Sequence, residues 1–277
     1  MEQAIKLTSV GNARELGGYR VGDRVIKKGL LLRTASLAAI SEEDKRVLLD
    51  EYKLGAIADL RMGSEIAIEP DPAMSDVCHQ PLSVMEMSDY PGFDEEEMAK
   101  FLASKEDRLG VVLQSIEMGM MDAGLYADFV LSDRGRKAYR GVFRLLLDTP
   151  EDRAVLWHCT DGKDRTGVAA MLILSALGAD WETILADYLL TNTYNAEKIQ
   201  QAKRLIAPLN LDPEKEKRLL FGMGAVYEEY IAAAMRAIEE NYGSIDRYLD
   251  EELGVHEDGR RELQDRFLAQ NYMGIKL

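Results

Sequence analysis

The chain has 277 residues, of which 47% are hydrophobic, and its formal net charge is −15 at pH 7 with a pI of about 4.8. This length and apolar content suffice for one domain with a full core, and we expect a single domain over residues 1–277. The negative charge argues against nucleic-acid binding, and no apolar run approaches the roughly 18 residues of a membrane span.

The first predicted elements are a strand and a helix. Residues 25–33 contain a short apolar run that is compatible with a strand. Residues 41–44 read Ser-Glu-Glu-Asp, a pattern typical of a helix N-terminus. We expect this helix to run to about Tyr52 and to be stopped by Gly55.

Three further strands are predicted along the chain. Residues 55–60 form a brief apolar run typical of a buried strand that ends at Asp59, and residues 77–82 resemble another. Residues 154–159 are the third run, and they lead into an almost wholly apolar helix over residues 166–178. Alternation of strands and crossovers predicts an α/β fold with a central, mostly parallel sheet flanked by helices.

Two regions are predicted to be helical. Residues 84–135 are rich in Met, Asp and Glu with patchy helical periodicity, which indicates a helical insertion that could act as a lid. Residues 181–277 show helical periodicity nearly throughout, over residues 214–240 and in shorter pieces after Ser244 and His256. We expect this part to form a helical flank of the sheet.

The cysteines and the N-terminus bear on localisation. Cys78 and Cys159 are the two cysteines, and a protein of this size needs no disulfide, so we expect two free thiols. The N-terminal residues lack a basic region followed by an apolar run. We expect a cytoplasmic protein, and secretion after removal of a signal peptide is the alternative. The sequence does not indicate an oligomeric state.

The segment HCTDGKDRTG, residues 158–167, joins the third strand to the apolar helix. Backbone N–H groups in such a turn can converge on one point, where they attract an anion and favour a thiolate over a thiol. Cys159 is therefore the candidate nucleophile. Arg165 lies six positions later, and its planar guanidinium can hold two phosphate oxygens. The pattern predicts a phosphate-binding loop that carries its own nucleophile.

The other loop residues are predicted to bind the phosphate. Gly162 permits a positive φ or a close backbone approach, and Thr166 could donate a hydrogen bond to the cysteine sulfur when the sulfur becomes a leaving group. The candidate phosphate-binding residues are Thr160, Asp161, Gly162, Lys163 and Thr166.

Two other kinds of site are not predicted. A nucleotide-binding P-loop needs a Gly at position 157 and a Ser or Thr after Lys163, but Trp157 and Asp164 stand there. No Cys-x2-Cys or His-Glu-x-x-His spacing occurs. The three histidines are scattered along the chain at His79, His158 and His256. We therefore expect neither a metal nor a cofactor.

The loop resembles the active-site loop of the protein tyrosine phosphatase superfamily. Its Gly-Lys-Asp-Arg-Thr-Gly form is similar to that of bacterial tyrosine/serine and lipid phosphatases. The likeness covers nearly the whole chain, although Glu15 replaces the family's Asp. The other segments that carry it are residues 12–18, 32–35, 59–65, 186–192 and 227–249.

The resemblance implies a mechanism without a metal. Cys159 attacks phosphorus to form a cysteinyl-phosphate, which water then hydrolyses, while Arg165 stabilises the equatorial oxygens. Asn12 and Arg14 are implied to support or contact the phosphate loop, although a structural clasp is an equal alternative. A lysine at the position of Lys163 meets a second phosphate in phosphoinositide phosphatases, so lipid substrates stay open.

The proton donor is less well defined, because no Trp-Pro-Asp motif occurs. Asp164 is the first candidate, and its alternative role is to orient Arg165 through a salt bridge. Asp59 is the second, but together with Arg61 it is more simply interpreted as a structural pair or part of the pocket rim. His158 is expected to tune the thiolate.

The leading hypothesis is a cysteine-dependent phosphomonoesterase that acts on phosphotyrosine in proteins, with additional activity on phosphoserine and phosphothreonine left open. A phosphoinositide or inositol-phosphate phosphatase with the same loop is the alternative enzyme. A catalytically silent phosphate-binding module is the alternative from another class. The presence of both Cys159 and Arg165 argues against a silent module.

Overall fold

A computed structural model describes residues 3–89, 108–117 and 121–270. The strands are β1 (Arg14–Glu15), β2 (Arg20–Val21), β3 (Arg24–Ile26), β4 (Leu31–Thr34), β5 (Leu54–Asp59), β6 (Cys78–Pro81), β7 (Ala154–His158) and β8 (Leu268–Gln270). The first helices are α1 (Glu42–Arg46), α2 (Gly63–Ile68), α3 (Arg108–Glu117), α4 (Gly124–Leu131) and α5 (Asp133–Asp148). The helices after β7 are α6 (Asp164–Leu177), α7 (Trp181–Tyr194), α8 (Ala196–Ile206), α9 (Pro213–Gly222), α10 (Glu228–Tyr242), α11 (Ile245–Glu251) and α12 (Glu257–Phe267).

The central sheet has five strands in the order β1-β4-β7-β5-β6. β4, β7, β5 and β6 run parallel, and β1 is antiparallel at one edge. The predicted α/β fold with a mostly parallel sheet flanked by helices is therefore confirmed. The register places Thr34, His158, Asp59 and Pro81 side by side at the carboxyl ends of the parallel strands. Loops that follow these strands consequently meet at one edge of the sheet.

Each face of the sheet is covered by its own apolar core. Val155 and Trp157 point into the larger core, which includes most of α6, whereas Ala154 and Leu156 point into a smaller core on the other face. The helix α6 carries apolar residues on nearly all of its sides, as expected for a helix that is buried along its length. It ends at Gly178, whose φ of 93° is the left-handed conformation that closes many helices.

The first predicted elements differ in detail from the structure. The run over residues 25–33 is divided between β3 and β4. Ser41 caps the predicted helix, but only Glu42–Arg46 is α-helical and Val47–Glu51 continues as a π-helix. Gly55 does not stop a helix, because it lies inside β5. A Cβ atom there would lie 2.6 Å from the side chain of Thr149, so the strand needs a glycine for close packing.

The C-terminal region is mostly helical, with two departures from the prediction. The helix expected over residues 214–240 is interrupted between α9 and α10, where Gly224 has a φ of 123° that ordinary side chains rarely adopt. Residues 268–270 form β8, which pairs antiparallel with β3 in a small second sheet. The backbone hydrogen bonds offered by β3 outweigh the helical periodicity of the neighbouring sequence.

The predicted helical insertion over residues 84–135 is described in part. α3 packs closely on α9, since a Cβ atom on Gly222 would lie 2.3 Å from the side chain of Val112. α4 packs against α10. Residues 90–107 and 118–120 of the insertion lie outside the described residues. Among the helices that the structure does describe, none is long and apolar enough to cross a bilayer.

Candidate active site

The loop over residues 158–167 lies at the carboxyl end of β7, as predicted. Cys159 directly follows the strand and is 1% exposed, and α6 begins at Asp164. Gly162 has a φ of 65°, and a Cβ atom there would lie 2.4 Å from the carbonyl oxygen of Thr34. Only glycine combines this dihedral angle with such close contact. The loop therefore rests directly on the end of β4.

The carbonyl oxygen of Gly162 is held from behind by two side chains. Asn12 donates through Nδ2 at 2.7 Å, and Arg33 donates through Nη2 at 2.9 Å. Asn12 also approaches the carbonyl oxygen of Asp161 at 3.3 Å. Because these carbonyls are turned towards Asn12 and Arg33, we expect the loop amides to face the opposite side, where an anion would bind.

Arg14, Arg33 and Asp187 form a group beneath the loop that we call the buried cluster. Arg14 Nε lies 3.0 Å from Asp187 Oδ1, and Arg33 Nη1 lies 2.5 Å from Asp187 Oδ2. Burial alone would raise the pKa of Asp187, but the two guanidinium groups more than offset it and hold that pKa below its usual value. Burial and nearby Arg14 lower the pKa of Arg33 to about 10.

Arg14 therefore supports the loop indirectly, by donating to the side-chain oxygen of Asn12. Asn12 and Arg14 were predicted from the sequence as supporting residues, whereas Arg33 and Asp187 were not. Both missed residues stand in segments that carry the family resemblance, residues 32–35 and 186–192, which was the signal available in the sequence.

Arg165 lies at the mouth of the loop, where it contacts a carboxylate that was not among the predicted site residues. Its Nη1 and Nη2 donate to Glu65 Oε2 and Oε1 at 2.6 and 3.1 Å, a bidentate contact that we call the mouth pair. Glu65 also accepts from Thr160 Oγ1 and from the backbone N–H of Met62. Glu65 is the last residue of segment 59–65, one of the segments that carry the family resemblance. The sequence therefore pointed to this position but not to its pairing with Arg165.

The mouth pair is electrostatically reinforced. Burial would raise the pKa of Glu65, but the charge and hydrogen bonds of Arg165 more than offset it, and the resulting pKa lies below the ordinary value. Burial opposes the charge of Arg165, and Glu65 again outweighs this effect, so the pKa of Arg165 is raised. Both groups therefore stay ionised at neutral pH.

Asp164 does not pair with Arg165 among the described ion pairs, contrary to its predicted alternative role. Its Oδ1 accepts from the hydroxyl of Tyr126 at 2.5 Å and from Lys163 Nζ at 3.2 Å. Arg165 is instead taken by Glu65. The Asp164 side chain is 23% exposed, so it remains accessible from the loop.

Lys163 is directed into the protein. Its side chain is 4% exposed, and Nζ donates to the carbonyl oxygen of Phe221 at 2.8 Å and lies 3.7 Å from the centre of that residue's ring. The lysine thus fastens the loop to α9. This arrangement does not present its ammonium group to a second phosphate.

The remaining loop residues have different surroundings. Thr160 is exposed at the mouth, and Asp161 forms a 2.7 Å ion pair with Lys198 of α8. The hydroxyl of Thr166 is buried and has no hydrogen-bond partner within the described parts of the chain. Its predicted hydrogen bond to the sulfur of Cys159 belongs to the second step of the reaction and stays a prediction.

Asp59 and Arg61 form a buried pair at the end of β5. Arg61 Nη2 lies 2.7 Å from Asp59 Oδ2, and its Nε lies 2.9 Å from Oδ1. Burial opposes ionisation of Asp59, but Arg61 and His158 more than offset it and lower the pKa of Asp59. Asp59 is fully buried and held by this pairing, which makes it a poor proton donor. His158 contacts the carbonyl of Cys159 through Nδ1 at 3.3 Å.

Comparison with known proteins gives consistent results. A sequence model of the tyrosine phosphatase family matches residues 5–269. A Cupriavidus necator protein named "Putative tyrosine-protein phosphatase" is 34% identical over 252 residues, which cover 89% of this chain and 83% of the relative. The triple specificity protein phosphatase PtpB of Mycobacterium tuberculosis is 29% identical over 81% of this chain and 86% of its own. A tyrosine-protein phosphatase of Nostoc commune is 26% identical over 85% and 73%.

Proposed function

This chain belongs to the tyrosine phosphatase family and is a cysteine-dependent protein phosphatase, and we propose that it hydrolyses phosphotyrosine in proteins with Cys159 as the nucleophile. The observation that carries the proposal is the position of Cys159. The cysteine lies at the base of a loop whose carbonyls are held from behind and whose mouth carries Arg165. The mycobacterial relative is named a triple specificity protein phosphatase, which agrees with a substrate range wider than phosphotyrosine alone.

The first step transfers the phosphoryl group to the protein. The thiolate of Cys159 attacks phosphorus, the S–P bond forms, and the bond from phosphorus to the tyrosine oxygen breaks. The loop amides and Arg165 stabilise the charge on the three equatorial oxygens. Arg165 gives two of its five N–H donors to Glu65 and makes longer contacts of 3.4 Å with the carbonyl oxygen of Leu60 and with Thr160 Oγ1. A phosphate oxygen that replaced these two longer contacts would bind Arg165 without breaking the mouth pair.

The second step restores the thiolate. Water attacks phosphorus, the S–P bond breaks, and inorganic phosphate leaves. A carboxylic acid must give its proton to the tyrosine oxygen in the first step, and the carboxylate that this leaves takes a proton from water in the second. Asp164 is the proposed group, because it is partly exposed at the loop whereas Asp59 is fully buried and held by Arg61.

Replacement of the nucleophile tests the proposal. We expect Cys159→Ser to reduce hydrolysis of a phosphotyrosine peptide by at least about 10⁴-fold, because an alcohol at this position lacks the reactive thiolate. Cys78→Ser is the matched control, since Cys78 is an exposed free thiol on β6. Turnover that survived in Cys159→Ser would contradict the cysteinyl-phosphate mechanism. A wild-type protein that bound phosphotyrosine peptide without releasing phosphate would identify a silent module, and faster hydrolysis of phosphoinositides would change the substrate class.

The role of Asp164 is tested with two leaving groups. We expect Asp164→Asn to slow hydrolysis of a phosphotyrosine peptide about 10²- to 10⁴-fold and to slow p-nitrophenyl phosphate much less, because nitrophenolate leaves without a proton. Asp152→Asn is the matched control, because the Asp152 side chain is 74% exposed and lies outside the loop. Equal losses on both substrates in Asp164→Asn would show that Asp164 acts by another means.

A further inference from the structure

Four side chains that are far apart in the sequence meet at the carboxyl end of the central sheet. Asp59 ends β5, His79 lies on β6, His158 ends β7, and Asp71 belongs to the segment between α2 and β6. One nitrogen or carboxylate oxygen from each residue lies within 4.8 Å of the corresponding atoms of the other three. The scattered histidines gave no hint of this group in the sequence. We call these four residues the Asp-His group.

The Asp-His group lies on the opposite face of the sheet from Cys159. Asp59 and His158 are register partners on adjacent parallel strands, so their side chains share a face. That face is the one onto which Leu156 projects, whereas Trp157 and Cys159 belong to the larger core on the other side. A ligand in the group would therefore be separated from the nucleophile by the sheet.

The distances within the group suit the coordination shell of a small cation. His158 Nε2 lies 2.8 Å from Asp71 Oδ2, and His79 Nε2 lies 3.5 Å from the same oxygen. Asp59 lies 3.9 Å from each imidazole, through Oδ2 to His79 and Oδ1 to His158. Ligand atoms around a tetrahedral zinc ion are about 3.3 Å apart when each bond is about 2.0–2.1 Å long. The separations within the Asp-His group, from 2.8 to 3.9 Å, include values both below and above this spacing.

Two buried atoms of the group lack a hydrogen bond. His158 Nε2 and Asp71 Oδ2 belong to side chains that are 0% and 1% exposed, and neither atom has a hydrogen-bond partner among the residues described. Their separation is 2.8 Å, yet the two atoms do not form a hydrogen bond with each other. Buried polar atoms without a partner are costly, and a cation bound between them would satisfy both.

Arg61 fixes the orientation of both carboxylates. It donates to Asp59 as described above, and its Nη2 also donates to Asp71 Oδ1 at 2.9 Å. Asp71 Oδ2 is thereby left to face the imidazoles. Partners that hold the outer oxygen of a ligating carboxylate are a regular feature of metal sites. Because His79 is 33% exposed, it provides a route by which an ion could enter.

We propose that Asp59, Asp71, His79 and His158 bind a divalent transition-metal ion, for which zinc has the best-matched chemistry. Two imidazole nitrogens and two carboxylate oxygens form a donor set typical of zinc, whereas magnesium and calcium prefer oxygen ligands alone. Arg61 neutralises one of the two carboxylate charges, and the remaining negative charge is compatible with a dication. The ion ties together the ends of β5, β6 and β7 and takes no part in phosphoryl transfer.

The test is a zinc titration of the full chain in a Cys159→Ser background, which removes the loop thiolate as a competing ligand. We expect one Zn²⁺ per chain by competition with a chelating dye, and a rise in Tm on binding because the ion stabilises the folded state. Co²⁺ in place of Zn²⁺ should give visible absorption bands of tetrahedral nitrogen and oxygen coordination. Mg²⁺ should produce neither effect.

Removal of the exposed ligand provides the discriminating comparison. His79→Ala should weaken Zn²⁺ binding at least about tenfold and abolish the rise in Tm. His256→Ala is the matched control, because the third histidine is exposed and distant in sequence from the group, and Cys78→Ser controls for the thiol next to His79. His79→Gln offers a second variant should His79→Ala fail to fold. A chain that bound no Zn²⁺, or a His79 variant that bound it as tightly as the background, would overturn the proposal.

Discussion

The buried cluster and the mouth pair join the same chemical groups but differ in exposure. Arg14, Arg33 and Asp187 are at most 1% exposed, whereas Arg165 and Glu65 are 11% and 12% exposed. In the buried cluster the carboxylate is the permanent partner of both arginines, because no water can replace it. In the mouth pair, water or a phosphate oxygen can reach the guanidinium. Exposure thus separates the arginines that hold the loop in place from Arg165, the arginine proposed to bind the substrate.

Substitutions in the two regions should therefore affect different quantities. Removal of a charge from the buried cluster should lower the free energy of unfolding, since the remaining charges would be buried and unpaired. Removal of a charge from the mouth pair should mainly affect catalysis. Measurement of both quantities for each variant tests whether the distinction holds.

The largest effect is expected for Asp187→Asn. The variant leaves Arg14 and Arg33 facing each other without a countercharge, and we expect the free energy of unfolding to fall by about 3–5 kcal/mol. Urea denaturation measures this change. Asp180→Asn on the same helix is the matched control, because Asp180 caps the start of α7 and asparagine is an equally good cap. A loss below about 1 kcal/mol in Asp187→Asn would remove the distinction drawn between the two regions.

The sequence predicted the parallel sheet and the position of the phosphate loop, because both depend on local patterns. Alternation of apolar runs with helical segments defined β5 and β7, and the short segment from the end of β7 to the first turn of α6 contains both Cys159 and Arg165. The supporting residues depend on contacts between distant segments. Glu65 lies 100 positions from Arg165 and Asp187 lies 154 positions from Arg33, so no spacing rule relates them.

The Asp-His group could not be predicted for the same reason, since it depends on contacts between distant segments. His79 and His158 lie on β6 and β7, which are separated in the sheet by β5. Their proximity follows from the order of the strands and the register, which the hydrophobic pattern does not specify. Gly55 shows the converse case, since a residue that is usually a helix stop serves here as a packing position inside a strand. In both instances contacts between distant parts of the fold, and not the local sequence preference, determine the structure.

The smallest effect, and the sharpest test of the comparison, is expected for Glu65→Gln. Glutamine is similar in size but presents an amide group to one arm of Arg165, so the guanidinium loses its fixed orientation. We expect kcat/KM for a phosphotyrosine peptide to fall about 10- to 100-fold through misplacement of Arg165, with inhibition by inorganic phosphate weakened in parallel. The free energy of unfolding should change by only about 1 kcal/mol. Glu42→Gln is the matched control, because Glu42 is a surface carboxylate paired with Lys45. The opposite result would follow if Glu65 merely competed with phosphate for Arg165. Glu65→Gln would then raise kcat/KM and strengthen inhibition by phosphate. In that case the mouth pair would hinder substrate binding and would not serve to orient Arg165.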